Sequence, residues 1–135
     1  MDWKSEYTLG QALMDATHHE FVEIVNQLEA AAPEAVPAAV TTLIEHTIAH
    51  FDQENMWMEA SGFPPIHCHV GEHMRVIESL KSIQRMVEKG NNGLGKILAK
   101  EMEAWFAQHA ATMDSALAYY MEQVSYTPEP LAVQA

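Results

Sequence analysis

Four long stretches of the chain repeat apolar residues every three or four positions, and proline or glycine residues separate them. This period is that of an α-helix with one face turned toward a core. No stretch alternates apolar and polar residues for long enough to indicate a β-strand. The pattern therefore predicts an all-α protein.

The predicted helices cover residues 11–31, 37–62, 66–87 and 94–124. Because the three connections between them are short, neighbouring helices are expected to run antiparallel. The expected fold is an up-down-up-down antiparallel four-helix bundle. We assign it to a single domain over residues 1–124, and we expect residues 125–135 to form a disordered C-terminal tail.

Composition limits the partners and the compartment. The 135 residues include 7 Lys and Arg against 19 Asp and Glu, which gives a net charge of −12. A surface of this sign repels nucleic acid and anionic membrane lipids, so neither is an expected partner. Cys68 is the single cysteine and cannot form an internal disulfide. With no secretion signal or membrane span in the sequence, we expect a cytoplasmic protein.

Histidine is the residue type that points to function, since 8 histidines exceed the 7 Lys and Arg. His50 and Glu54 lie four positions apart on the second predicted helix, and His69 and His73 do so on the third. Each pair therefore projects from one helical face. Those faces also carry apolar residues, Met74 among them, so both pairs are expected inside the bundle. Buried imidazoles and carboxylates are costly without partners, which favours a metal site.

The other two helices supply further candidates. The first contains His18, and the fourth contains His109 and Asp114. Five residues rotate an α-helix by about 140°, and the position that shares a face with His109 is Met113. Helical spacing alone thus gives no support for His109 and Asp114 as a pair.

Taken together, these residues resemble the hemerythrin family, specifically its single-domain bacteriohemerythrins. The resemblance runs from Trp3 to Tyr120. Its motifs are Asp15-x-x-His18, Asn26-x-Leu28, His50-Phe51-x-x-Glu54 with Met58, Gly62-Phe63-Pro64, His69-x-x-x-His73 and Trp105-x-x-x-His109-x-x-x-x-Asp114. Seven candidate ligands in this order on four predicted helices make the match specific.

The resemblance implies a non-haem di-iron centre, with two Fe ions joined by an oxo or hydroxo bridge, that takes O2 as its ligand. It implies that His69, His73 and His109 bind one iron, that His18 and His50 bind the other, and that Glu54 and Asp114 bridge them. The second iron then has one protein ligand fewer, and the resemblance assigns its open position to dioxygen. Neutral imidazoles suit iron, and the two carboxylates offset part of its charge.

The resemblance thus implies reversible dioxygen binding for carriage, storage or sensing, with an unseen protein as a further partner that receives the oxygen. An enzyme acting on peroxide or nitric oxide, and a protein that stores metal, remain alternatives. Ferritin-like di-iron enzymes use carboxylate-rich sites with Glu-x-x-His motifs. No Glu of this chain is followed by His three positions later. We therefore favour a binding protein over an enzyme.

Three histidines lie outside the candidate ligand set. His19 and His67 are rotated away from the neighbouring candidate ligands, and we expect both to be solvated. His46 shares a helical face with His50, so we expect it to pack or to form a hydrogen bond near the site.

Two positions depart from the pattern of the family. Asn55 occupies a place where many relatives have a second glutamate, and His19 replaces a common lysine. We expect neither side chain to contact the ligand set.

Overall fold

The computed structural model describes residues 1–131, and the regular elements in that range are all helical. The α-helices are α1 (Ala12–Ala30), α2 (Val36–Ser61), α3 (Ile66–Glu88), α4 (Leu94–His109) and α5 (Ser115–Gln123). A π-helical segment, Ala110–Asp114, joins α4 to α5, so the three pieces form one fourth rod. The α2 helix packs against α1 and α3, and α4 packs against the same two helices. The predicted up-down-up-down four-helix bundle is confirmed.

The predicted stop after the second helix is confirmed at Gly62. This residue adopts φ 73°, a left-handed conformation that glycine takes without steric cost. The next residue, Phe63, donates its backbone N–H to the Met58 carbonyl at 2.9 Å, which closes the end of α2. The Tyr120 hydroxyl donates to the carbonyl oxygens of Ser61 and Gly62, each at 3.0 Å. The end of α2 is therefore tied to α5.

Two apolar clusters fill the bundle. The larger contains Tyr7, Phe21, Val22, Val25, Leu28, Val36, Val40, Leu43, Ile44, Phe51, Val76, Leu80, Val87, Leu98, Ala99, Met102, Phe106 and Ala110. The smaller contains Met14, Trp57, Met58, Phe63, Leu117, Ala118 and Met121. On α1 the buried His18 lies between Met14 of the smaller cluster and Phe21 of the larger one. Buried polar residues thus occupy a layer between the two apolar clusters.

The prediction that Met74 lies inside the bundle was wrong. We expected Met74 to accompany His73 inside the bundle, but its side chain is 65% exposed. Consecutive residues on an α-helix differ by about 100°, so the rotation that buries His73 turns Met74 outward. Among residues 1–131, none of the helices combines the length and apolarity needed to cross a membrane.

The expected disordered tail covers residues 125–135, of which 132–135 lie outside the described residues. Within the described part, the Trp57 indole N–H donates to the Glu129 carbonyl at 2.7 Å. Leu131 lines a surface cavity between α1 and α2. These contacts hold the described end of the chain against the bundle.

Candidate metal centre

The structure brings all seven predicted candidate ligands together in the buried layer. They are His18, His50, Glu54, His69, His73, His109 and Asp114, and each is at most 4% exposed. Their potential ligand atoms form two groups, within each of which all atoms lie within 4.8 Å of one another. We call His69, His73 and His109 the three-histidine side, and His18 and His50 the two-histidine side. Glu54 and Asp114 belong to both groups.

The Glu54 carboxylate turns one oxygen to each side. Its Oε2 lies 2.9 Å from His50 Nε2, on the two-histidine side. Its Oε1 lies 3.2 Å from His73 Nε2 and 3.4 Å from His69 Nε2, on the other side. A single carboxylate from α2 therefore spans the centre.

Asp114 repeats this arrangement from the fourth rod. Its Oδ2 lies 3.1 Å from His18 Nε2. Its Oδ1 lies 3.0 Å from His109 Nε2 and 3.3 Å from His69 Nε2. The two carboxylates thus approach the centre in equivalent ways, and each could bridge two cations.

The π-helical segment explains how Asp114 reaches His109. Hydrogen bonds in a π-helix span five residues, one more than in an α-helix, so residues five apart come much closer to sharing a face. The segment runs from Ala110 to Asp114, directly after His109. α-Helical spacing gives no support for this pair, and the π-helical segment supplies the difference in rotation. Single π-helical turns inside α-helices are frequent at functional sites.

Several buried polar atoms at the centre have no hydrogen-bond partner among the described residues. They include Glu54 Oε1, Asp114 Oδ1 and His73 Nε2, all of which face the interior of the cluster. Such atoms are costly to bury without partners. Two ring nitrogens, His69 Nε2 and His109 Nε2, also face each other at 3.2 Å. Cations between them would use the free lone pairs, and the imidazole and carboxylate donors suit first-row transition metals such as iron.

Both carboxylates favour their anionic form. Burial alone favours a neutral carboxyl group, but the charge and hydrogen bond of His50, together with His69 and His73, hold the pKa of Glu54 well below its usual value. Burial and the nearby Glu54 also oppose ionisation of Asp114, yet His109 and His18 hold its pKa low. Burial lowers the pKa of His69, but the carboxylates of Asp114 and Glu54, 3.3 Å and 3.4 Å from its Nε2, raise it to about 9. The site is therefore strongly attractive to positive charge.

Two imidazole rings are oriented from outside the cluster. His18 Nδ1 lies 3.0 Å from the Tyr7 carbonyl oxygen, and His73 Nδ1 lies 2.9 Å from Asn55 Oδ1. The expectation that Asn55 does not contact the ligand set was therefore wrong. Asn55 follows Glu54 on α2, and the helical rotation of one residue turns its side chain toward α3.

The remaining histidines lie at or near the surface. His19 and His67 are exposed, as predicted, and the His19 ring stacks on Trp3 with centroids 3.5 Å apart. His46 Nε2 lies 3.1 Å from Glu20 Oε2, so the expected hydrogen bond is present and its partner is a surface carboxylate. None of the three belongs to the groups of candidate ligands in the described chain.

Aromatic side chains enclose the centre. Phe51 stacks on His73 with centroids 3.8 Å apart and planes 5° from parallel. Trp105 stacks on His109 at 4.5 Å and 20°. On the two-histidine side, Phe106 meets the His18 ring edge-on at 4.9 Å. These rings limit the access of water to the polar cluster.

Known proteins are similar to this chain over most of its length. A family model described as "Hemerythrin HHE cation binding domain" matches residues 9–120. The chain is 37% identical over 123 residues to a bacteriohemerythrin of Ralstonia nicotianae, covering 91% of this chain and 90% of the relative. It is 24% identical over 126 residues to a bacteriohemerythrin of Stenotrophomonas maltophilia, covering 90% and 80%. It is 23% identical over 133 residues to one of Pseudomonas aeruginosa, covering 96% and 84%.

Proposed function

The chain belongs to the hemerythrin family, and we propose that it binds dioxygen reversibly at a non-haem di-iron centre, for carriage, storage or sensing of oxygen. The observation that carries the proposal is the arrangement of the two carboxylates. Glu54 and Asp114 each direct one oxygen to His50 or His18 and the other to the three-histidine side. Two bridging carboxylates between two sets of imidazoles suit a pair of cations better than one cation.

We assign the residues to the two irons as follows. His69, His73 and His109 would hold one iron, His18 and His50 the other, and Glu54 and Asp114 both. The three-histidine side then offers five protein ligands, and the two-histidine side offers four. When bound, the two ferrous ions supply the electrons for reversible binding of dioxygen. We expect the small ligand on the two-histidine side, because it has fewer protein donors.

The chain contributes charge compensation and exclusion of water. The anionic carboxylates of Glu54 and Asp114 offset part of the positive charge of two ferrous ions. Phe51, Trp105 and Phe106 cover the imidazole rings with apolar surface. Exclusion of water hinders proton delivery and loss of the bound ligand, which favours reversible binding over turnover.

Location, domain extent and partners are further parts of the proposal. The free, exposed thiol of Cys68 suits a reducing compartment, and we propose the cytoplasm. We propose residues 1–124 as the functional domain. Dioxygen is the proposed ligand, and a protein that receives it remains a proposal from the family resemblance alone.

Metal analysis combined with optical spectroscopy tests the function. The purified chain is loaded with ferrous iron without air, washed and analysed for metal. We expect two irons per chain, and an absorption change on adding air that reverses when oxygen is removed over repeated cycles. One ion per chain, or a single irreversible change, would contradict the proposal. Added peroxide or nitric oxide, followed on the same sample, shows whether steady consumption occurs instead.

A further inference from the structure

We infer that Asn55 is the residue that positions His73 for metal binding. The inference rests on the ligand set proposed above, in which His73 binds a metal. Asn55 Oδ1 lies 2.9 Å from His73 Nδ1. Asn55 directly follows Glu54 on α2, so adjacent residues supply a bridging carboxylate and the acceptor that holds a ligand ring of α3. Asn55 is therefore a positioning residue that acts through His73.

This contact determines which nitrogen of the His73 imidazole carries the proton. A neutral imidazole carries one proton, on Nδ1 or on Nε2, and only the other nitrogen can bind a cation. His73 Nε2 is the nitrogen that faces the centre, 3.2 Å from Glu54 Oε1. The carbonyl oxygen of Asn55 can only accept a hydrogen bond, so it holds the proton on Nδ1. The lone pair of Nε2 is then left for a metal ion.

Stacking on Phe51 cannot select this orientation. The Phe51 ring lies 3.8 Å from the His73 ring and within 5° of parallel. Such a contact fixes the plane of the imidazole but changes little when the ring turns over by 180° about its Cβ–Cγ bond, which keeps the same plane. The rotation would move both nitrogens away from their present positions. The hydrogen bond to Asn55 is the contact that distinguishes the two orientations.

The other rings of the three-histidine side lack such support. The Nδ1 atoms of His69 and His109 are buried without a hydrogen-bond partner in the part of the chain that the structure describes. Within the described residues, Asn55 thus provides the one hydrogen bond that orients a ring of the three-histidine side from outside the cluster. Removing it should affect His73 alone among the three.

The surroundings of Asn55 decide which substitution is informative. Asn55 is half-buried, and with His73 it lines a surface cavity of about 250 Å³. Alanine at this position would admit a water molecule that could replace the lost carbonyl. Leucine has a similar size to asparagine and no acceptor, so Asn55→Leu removes the hydrogen bond and also blocks the water.

Zinc is the probe, because it binds imidazole and carboxylate ligands and has no redox chemistry. In the full-length chain, Asn55→Leu is expected to weaken zinc binding by about 10- to 100-fold, measured by competition with a chelating dye. It is also expected to speed the exchange of the His73 ring N–H with solvent, measured by nitrogen-15 NMR. Asn55→Asp keeps an acceptor oxygen and is expected to restore slow exchange.

Gln53→Leu is the matched control. Gln53 is also half-buried on α2, and its Nε2 donates to Thr17 Oγ1 at 3.3 Å. The control therefore loses a hydrogen bond between helices without touching His73, and it should bind zinc like the parent chain. If Asn55→Leu does not fold by circular dichroism, Asn55→Ala should still show faster ring exchange.

Parental zinc affinity and parental ring exchange in a folded Asn55→Leu chain would overturn the inference. Zinc binding requires no oxygen chemistry. A chain that binds zinc through His73 but does not bind dioxygen would therefore refute the proposed function and leave the role of Asn55 intact.

Discussion

The two-histidine side and the three-histidine side share both carboxylates but hold their rings by different means. On the first, the backbone carbonyl of Tyr7 orients His18. On the second, the side chain of Asn55 orients His73. A backbone acceptor persists whatever side chain its residue carries, whereas a side-chain acceptor is removed by one substitution. The three-histidine side is therefore the part of the centre that substitution can adjust most directly.

The aromatic contacts differ in the same way. Flat stacking covers His73 and His109, whereas His18 meets the edge of Phe106. Flat stacking fixes the plane of a whole ring, whereas an edge contact touches only part of it. All five rings are at most 4% exposed, so the two sides differ in the geometry of their aromatic contacts and not in their exposure to solvent.

The largest expected effect on metal binding comes from a substitution that acts on both sides. Glu54→Ala deletes a carboxylate that faces both of them, so iron should be lost from both at once. We expect iron affinity to fall by more than about a hundredfold, since loss of an outer hydrogen-bond partner alone costs about 10- to 100-fold. Iron analysis after anaerobic loading measures it, with the exposed Glu59→Ala on the same helix as control. Two irons per chain in Glu54→Ala would rule out bridging by this residue.

Loss of one ring should affect the sides unequally. His73→Ala removes a ligand from the three-histidine side only, and the paired centre should be lost while about one metal ion per chain is retained. Metal analysis gives the count, and an absent air-dependent spectrum reports the loss of the pair. His67→Ala, an exposed position on the same helix, should behave like the parent chain. Full iron content in His73→Ala would remove this residue from the ligand set.

The aromatic contacts can be compared through a matched pair of substitutions. Phe51→Leu and Phe106→Leu replace two phenylalanines that are each at most 2% exposed. Each should lower the free energy of unfolding of the metal-free chain by about 1 to 2 kcal/mol, and the two losses should be similar because Phe106 also stacks on Phe21, with centroids 4.7 Å apart. Urea denaturation followed by circular dichroism provides the values. A clearly larger loss for Phe51→Leu would show that the stack on His73 outweighs all the contacts of Phe106.

The smallest effect on metal binding is expected for a substitution at Tyr7, because its backbone carbonyl, not its side chain, accepts the hydrogen bond from His18. Tyr7→Phe keeps the carbonyl that accepts from His18, so zinc affinity should stay within about twofold of the parent. Stability should change by no more than about 0.5 kcal/mol, as is usual for a substitution that breaks no buried contact. Dye competition and thermal melting measure the two quantities. A tenfold loss of zinc affinity would mean that the hydroxyl, rather than the carbonyl, supports His18.

The helices were predictable because their apolar period and their end signals agree. Gly62, for example, ends α2 where the sequence places a glycine before two prolines. The ligand pair His50 and Glu54 was predictable because four residues make about one α-helical turn, so both side chains lie on one face. The contact between Asn55 and His73 was not, because it depends on the distance between α2 and α3. Spacing within one helix carries no information about that distance.

The π-helical segment Ala110–Asp114 has a consequence for how this sequence can vary. It contains one more residue than a regular α-helical path would need. Deleting one residue inside it would let the fourth rod close into a continuous α-helix, with Leu117 and Met121 still in the smaller apolar cluster and Asp114 only four positions after His109, on the same face. A deletion within α5 has no extra residue to absorb it and would rotate every later residue by about 100°. A one-residue deletion in the fourth rod should therefore be tolerated at the π-helical segment and not in α5.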